Sequence, residues 1–109
     1  MAGFGKKNAR LTQLRAGMIH AAAQGYLKEV EFQRLLTDDE IRQILRSVYS
    51  GTVDNLTPRE FDYAAAGTKA LMRERTYVEE LATRWTRGAI GIGYDDMKRL
   101  DRILAVQPR

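Results

Sequence analysis

Hydrophobic and polar residues follow one another in this chain with mostly helical spacing. Ile41, Ile44, Leu45, Val48 and Tyr49 recur at i, i+3, i+4, i+7 and i+8, the pattern of a helix with one buried face. Thr37-Asp38-Asp39-Glu40 stands before them. A threonine cap followed three residues later by glutamate is a reciprocal capping box, and acids in a first turn suit the helix dipole. The spacing predicts a helix over 38–50, ended by Gly51. A second stripe, Leu11, Leu14, Met18, Ala21 and Ala22, predicts an earlier helix that Asn8 caps and Gly25 ends. Gly17 inside it marks either a close contact between helices or a tolerated surface glycine. From 26 to 36 the pattern is ambiguous. Lys28 to Phe32 alternates like a strand, yet no second strand is at hand to pair its backbone groups, so a helix or an irregular turn is expected.

The longest periodic stretch follows. Thr57-Pro58-Arg59-Glu60 is another capping box, with proline at the first helical position, where its missing N–H costs nothing. Phe61, Ala64, Thr68, Leu71, Arg75, Val78, Ala82 and Trp85 then alternate spacings of three and four. No clear stop occurs before Gly88. This predicts one helix over 58–87, about 45 Å long at roughly 1.5 Å per residue. Gly67, after three alanines, is the expected place for any break. Thr68 and Arg75 interrupt the apolar seam, so the two ends are expected to pack on the rest of the chain while the middle stays partly exposed. The small residues there offer a flat patch to another helix, or else pack inside the chain's own bundle. Tyr94, Met97, Leu100, Ile103 and Leu104 line a final helix over 94–106.

The expected fold class is therefore all-α: a small bundle of four to five helices with one long helix, about 58–87. Residues 1–7 are read as a flexible basic tail and 8–109 as a single helical domain. The expected core is Leu11, Leu14, Met18, Ile41, Ile44, Leu45, Val48, Phe61, Leu71, Val78, Leu81, Trp85, Met97, Leu100 and Leu104.

Composition narrows the function. With 109 residues, 44% hydrophobic and 29% charged, the chain is an ordinary globular domain. It has no cysteine, which removes disulfides, thiolate catalysis and thiolate metal sites. No apolar run approaches the roughly 18 residues of a membrane span, and no signal-peptide core follows the first residues. A cytoplasmic protein with no membrane partner is expected. The net charge of +4 is concentrated near the N-terminus, and such an excess favours nucleic acid or an acidic partner. Lys6, Lys7, Arg10, Arg15, Arg73, Arg84 and Arg87 are the candidate cations, with Tyr77 and Trp85 among the later ones. Acids interleave with the same arginines, as on an ion-paired solvent face.

Candidate chemistry is sparse. His20 is the only histidine, and no paired acids stand at helical spacing beside it. Gly88 to Gly93 follows a helix rather than a strand, so it reads as a helix cap and turn and not as a phosphate loop. A calcium loop ending on Glu60 would place Tyr49, Gly51 and Val53 where oxygen ligands are required. No catalytic residue, metal, cofactor or small-molecule substrate is expected. The resulting expectation is a non-enzymatic helical interaction module: an adaptor, a regulator or a small subunit of a larger assembly. It would dock through the long helix at Ala64, Gly67, Thr68, Met72 and Arg75 onto a protein partner or a second copy. The alternative is a basic nucleic-acid-binding accessory protein.

Overall fold

One helix, α1, spans Gly5–Phe32 and carries most of the packing. The computed structural model describes residues 5–88 and 91–105, and the side chains of residues 5–8 lie outside that description. After α1 come α2 (Asp38–Tyr49), α3 (Pro58–Arg73), α4 (Arg75–Thr86) and α5 (Tyr94–Ala105). The fold is an all-α bundle.

Two expected boundaries are corrected. The first helix does not stop at Gly25, and the ambiguous stretch continues it as far as Phe32. Gly25 stays helical because its missing side chain makes room for Met72 of α3, a packing gain that offsets glycine's weak helix propensity of roughly 1 kcal/mol. Gly5 to Lys7, expected in the flexible tail, already belong to α1, and residues 1–4 lie outside the described residues. α1 ends where Gln33 takes a left-handed conformation at φ 57°. That conformation costs a side-chain-bearing residue roughly 1–2 kcal/mol. Gln33→Gly is expected to raise stability by about 0.5–1 kcal/mol, measured by urea unfolding. A loss would show that the Gln33 side chain supports the turn.

The predicted rod over 58–87 is two helices. The break falls at Glu74 (φ −83°, ψ 76°), not at Gly67. Gly67 remains helical because Met18 of α1 sits where its Cβ would be. The register along α1 explains why the rod turns. Tyr63 meets Arg15, Gly67 meets Met18 and Met72 meets Gly25, so α3 runs parallel to α1, roughly 48 residues ahead in number. A straight continuation would pass the end of α1 near residue 80 and leave Leu81, Ala82 and Trp85 facing water. Instead α4 runs back down α1: Arg75 meets Glu29, Glu79 meets Tyr26 and Trp85 meets His20. Tyr77, Val78, Leu81 and Ala82 are thereby buried, each large one contributing on the order of 1.5–3 kcal/mol. The radius of gyration, 13.5 Å, is that of a compact domain of this size.

The middle of the former rod is exposed only at the turn, where Arg73, Glu74, Arg75 and Thr76 face solvent; the seam before it is covered. Ala64, Thr68 and Leu71 are fully covered, and Thr68 places its hydroxyl on the Ala64 carbonyl at 2.8 Å. α2 pairs antiparallel with α1. Tyr49 crosses over Gly17 and donates from its hydroxyl to the Leu14 carbonyl at 2.6 Å; the glycine marks a close helix contact. α5 meets α3 through Leu104, beside Gly67, and α4 through Asp96, bonded to Tyr77 and Arg84. Leu11, expected in the core, is 39% exposed at the mouth of a cleft it shares with Leu14 and Tyr63, and Tyr94, the first residue of α5, is 77% exposed.

Both predicted capping boxes form. Thr37 with Glu40, and Thr57 with Glu60, exchange the two reciprocal hydrogen bonds. Each glutamate also holds a distant arginine: Arg34 grips Glu40 through two bonds of 2.8 Å, and Arg10 reaches Glu60 at 2.7 Å. The arginine bond first, then the backbone N–H of the cap, push both carboxyls from about 4.5 down to about 2. A carboxyl with a depressed folded pKa stabilises the fold above its unfolded value and loses that contribution as pH falls. Stability is therefore expected to hold above about pH 4.5 and to decline toward pH 2, measured by urea midpoints across that range. Glu40→Gln/Glu60→Gln should flatten the decline; an equally steep acid limb in the variant would count against these two groups.

Candidate functional site

The residues selected from sequence for docking do not form a surface. Ala64, Gly67, Thr68 and Met72 are buried against α1, so the internal-packing reading of that patch holds and the docking patch on the rod is withdrawn. Arg75 alone of the five reaches solvent, with its side chain 51% exposed.

Arg75 belongs to a polar junction where α1, α3 and α4 meet. Its Nη1 donates to Glu29 Oε1 at 2.8 Å and to the Met72 carbonyl at 3.0 Å, closing one of the free carbonyls at the end of α3. The other oxygen of Glu29 accepts the Leu36 N–H at 3.1 Å. The guanidinium lies 4.9 Å from the centre of the Tyr26 ring, and the Tyr26 hydroxyl donates to Glu79 at 3.2 Å. Glu29 is 8% exposed. A buried carboxylate must be fully bonded to be tolerated, and here one side chain fastens the first interhelical turn and the start of α4 together.

Just beyond this junction lies a cluster of exposed apolar side chains. Val30, Phe32 and Leu35 are three of the five exposed large hydrophobics among the described residues, and all three fall within six positions. They surround the C-terminal tip of α1. One cleft of about 490 Å³, lined by Leu35, Leu36, Ile41 and Met72, opens on one side of the turn. Another of about 340 Å³, lined by Phe32, Leu36 and Ile44, opens on the other. The Arg34 guanidinium and the Lys28 ammonium lie 5.0 and 5.7 Å from the centre of the Phe32 ring and form its rim. Sequence reading missed this site because Val30 and Phe32 fell in the ambiguous stretch; an apolar pair at the polar end of an amphipathic helix was the available signal.

The candidate cations divide. Arg10, Arg15 and Arg84 are ion-paired with Glu60, Asp101 and Asp96. Arg73 and Arg87 are exposed and make no ion pair among the described residues. The side chains of Lys6 and Lys7 lie outside the description. On α5, Lys98, Arg99 and Arg102, which the sequence also offers as cations near Tyr77 and Trp85, make no ion pair among the described residues. Lys98 lies 5.4 Å from the centre of the Tyr94 ring and Arg99 4.4 Å from that of Tyr77. Beneath them Asp96 accepts from the Tyr77 hydroxyl, both arms of Arg84 and the Gly93 N–H. Burial raises the Tyr77 hydroxyl's pKa, and its bond to Asp96 raises it further.

His20 is half-buried, with its ring edge-on to Trp85 at 5.2 Å. Its Nδ1 has no protein partner, and burial lowers its pKa. No group of three or more potential metal-ligating side chains gathers among the described residues, and no helix among them is long and apolar enough to cross a membrane. Comparison of the chain with protein-family models, with curated proteins and with solved structures finds no match.

Proposed function

We propose that the chain is a non-enzymatic helical interaction module that docks a partner chain through the C-terminal tip of α1. The observation that supports this is the exposure of Val30, Phe32 and Leu35, at 57%, 41% and 73%, together on one corner of the molecule. Apolar side chains gathered between two clefts and rimmed by cations have the anatomy of an interface core. The face of α3 plays no part, since the chain's own α1 already occupies it. A photo-crosslinking amino acid at Leu35 of the intact protein tests the reading in its native host. One discrete adduct is expected, and Val30→Ser should abolish it. No adduct above that of the same probe at exposed Arg59 would overturn the proposal.

A second reading, a nucleic-acid accessory role, draws on α5. Three cations without ion pairs beside an exposed tyrosine suit the backbone and bases of a single strand. Binding to a single-stranded oligonucleotide should then weaken steeply with salt, and Lys98→Gln/Arg99→Gln/Arg102→Gln should reduce that slope. Absence of binding at low salt would remove this reading.

A further inference from the structure

At the opposite end of α2 from the docking tip lies a cleft of about 480 Å³, between the last turns of α2 and the first of α3. Its floor is apolar: Tyr49, Val53, Leu56, Pro58 and Phe61. The loop that forms it is fixed from two sides. Gly51 and Asn55 turn the chain at φ 79° and 54°, and the N–H groups of Thr52 and Val53 both return to the Tyr49 carbonyl, at 3.0 and 3.1 Å. Arg10 of α1 donates to the Asn55 carbonyl at 3.2 Å. Val53 is thereby buried, whereas Phe61, expected in the core, is only partly covered.

Two arginines stand over that ring. Arg42 and Arg46 are one turn apart on α2, and each guanidinium lies 5.3 Å from the centre of the Phe61 ring. Like charges at this spacing repel. A cation in the last turn suits the helix dipole, which accounts for Arg46 but not for two guanidiniums at one phenyl ring. Arg42 has an acid: its Nη2 donates to Asp62 at 2.9 Å. That carboxylate is 67% exposed, so the pair is a weak one. The Arg46 guanidinium is exposed and has neither ion pair nor hydrogen bond among the described residues. One wall of an apolar cleft therefore carries a fork of donors with no anion on it.

We propose that this cleft binds a small amphiphilic monoanion, an aryl-alkyl carboxylate, with its carboxylate on the Arg46 fork and its ring against Leu56, Pro58 and Phe61. Each part of that description comes from a different observation. The planar guanidinium accepts a carboxylate through two parallel bonds. Asp62 beside it repels a second negative charge, which disfavours a phosphate dianion. The floor stays wet under a bare anion and is covered only by a ligand with an apolar body. A flat ring is favoured because it stacks on a guanidinium and packs against the edge of Phe61. The volume falls in the range of small-molecule sites, roughly 300–1,000 Å³. The cleft and the docking tip share no residue, so either can fail without the other.

The test is a titration of the full-length, isotope-labelled protein with sodium 4-phenylbutyrate, followed by amide and methyl NMR shifts at constant ionic strength. Saturable shifts are expected at Ser50, Val53, Leu56 and Phe61, with a Kd on the order of 1 mM for a ligand of this size. The neutral analogue 4-phenylbutan-1-ol should bind at least tenfold more weakly, and neither acetate nor inorganic phosphate should match the full ligand. Arg46→Gln should weaken binding about tenfold. Arg46→Lys, which keeps the charge and loses the fork, should recover only part of it. Asp62→Asn should tighten binding several-fold. Arg59→Gln, the same charge change at an exposed site outside the cleft, should leave it unchanged. Unaltered amide spectra away from the cleft show that each variant keeps the fold.

Absence of saturation at tens of millimolar would overturn the proposal, as would shifts centred on another part of the molecule. Equal binding of the alcohol would remove the arginines from the site. Equal binding of acetate or phosphate would reduce it to a charged patch. An equal loss in Arg59→Gln, or a loss in Asp62→Asn, would also overturn it.

Discussion

Asp96→Ala is expected to lower stability by about 3 kcal/mol, the largest loss from one polar side chain in this protein. The carboxylate is 8% exposed and collects four donors: the Tyr77 hydroxyl at 2.8 Å, Arg84 at 2.8 and 3.2 Å, and the Gly93 N–H at 3.1 Å. Burial alone would raise its pKa, but the bonds from Arg84, Tyr77 and Gly93 outweigh it and hold the carboxyl below the usual carboxylate range. Alanine leaves a buried hydroxyl and a partly buried guanidinium without their acceptor, and the Arg84 Nε already lacks one. It also removes the acid from the first turn of α5, worth on the order of 0.5 kcal/mol. Thermal unfolding should shift down by roughly 10 °C or more. Asp96→Asn, which keeps an acceptor for one donor, should fall between the two. An alanine variant within about 1 kcal/mol of the natural chain would show that water replaces the carboxylate.

Gly17→Ala is expected to cost about 2 kcal/mol, against the usual sign for an interior helical glycine. Helix propensity alone predicts a gain of roughly 1 kcal/mol. The added methyl, however, would coincide with the ring carbons of Tyr49, a residue 3% exposed and fastened by its hydroxyl to the Leu14 carbonyl. A ring is not the free end of a flexible chain, so α2 must move. Overpacking of this kind costs roughly 1–3 kcal/mol, and the displaced hydroxyl loses a buried bond worth about 1 kcal/mol or more. Urea unfolding of Gly17→Ala, Tyr49→Leu and the double variant forms a cycle. The double should cost less than the sum, because leucine at 49 makes room for the methyl. A stabilised Gly17→Ala would refute the close contact.

Both expectations concern positions at which sequence and structure speak differently. Gly17 was readable only as one of two alternatives, since a glycine's packing role is invisible until the neighbouring helix is in place. Asp96 stands in the first turn of α5, where any acid suits the helix dipole; nothing along the chain relates it to Tyr77 and Arg84 on the preceding helix. The candidate surface was harder still. Val30 and Phe32 belong to a stretch whose alternation suits a strand, and only the continuation of α1 through Gly25 places them at an exposed tip.

By itself the sequence determined the helical class, the two capping boxes, the clean amphipathic face of α2 and nearly all of the expected core. Those are local matters, settled by hydrogen bonds three or four residues apart and by periodic apolar positions. The tertiary structure decided that α1, not the stretch from Pro58, organises the bundle, and that the stretch turns at Glu74. It did so because α1 is too short to cover a straight rod: burying Leu81, Ala82 and Trp85 on it outweighs the few backbone hydrogen bonds that an unbroken helix would keep.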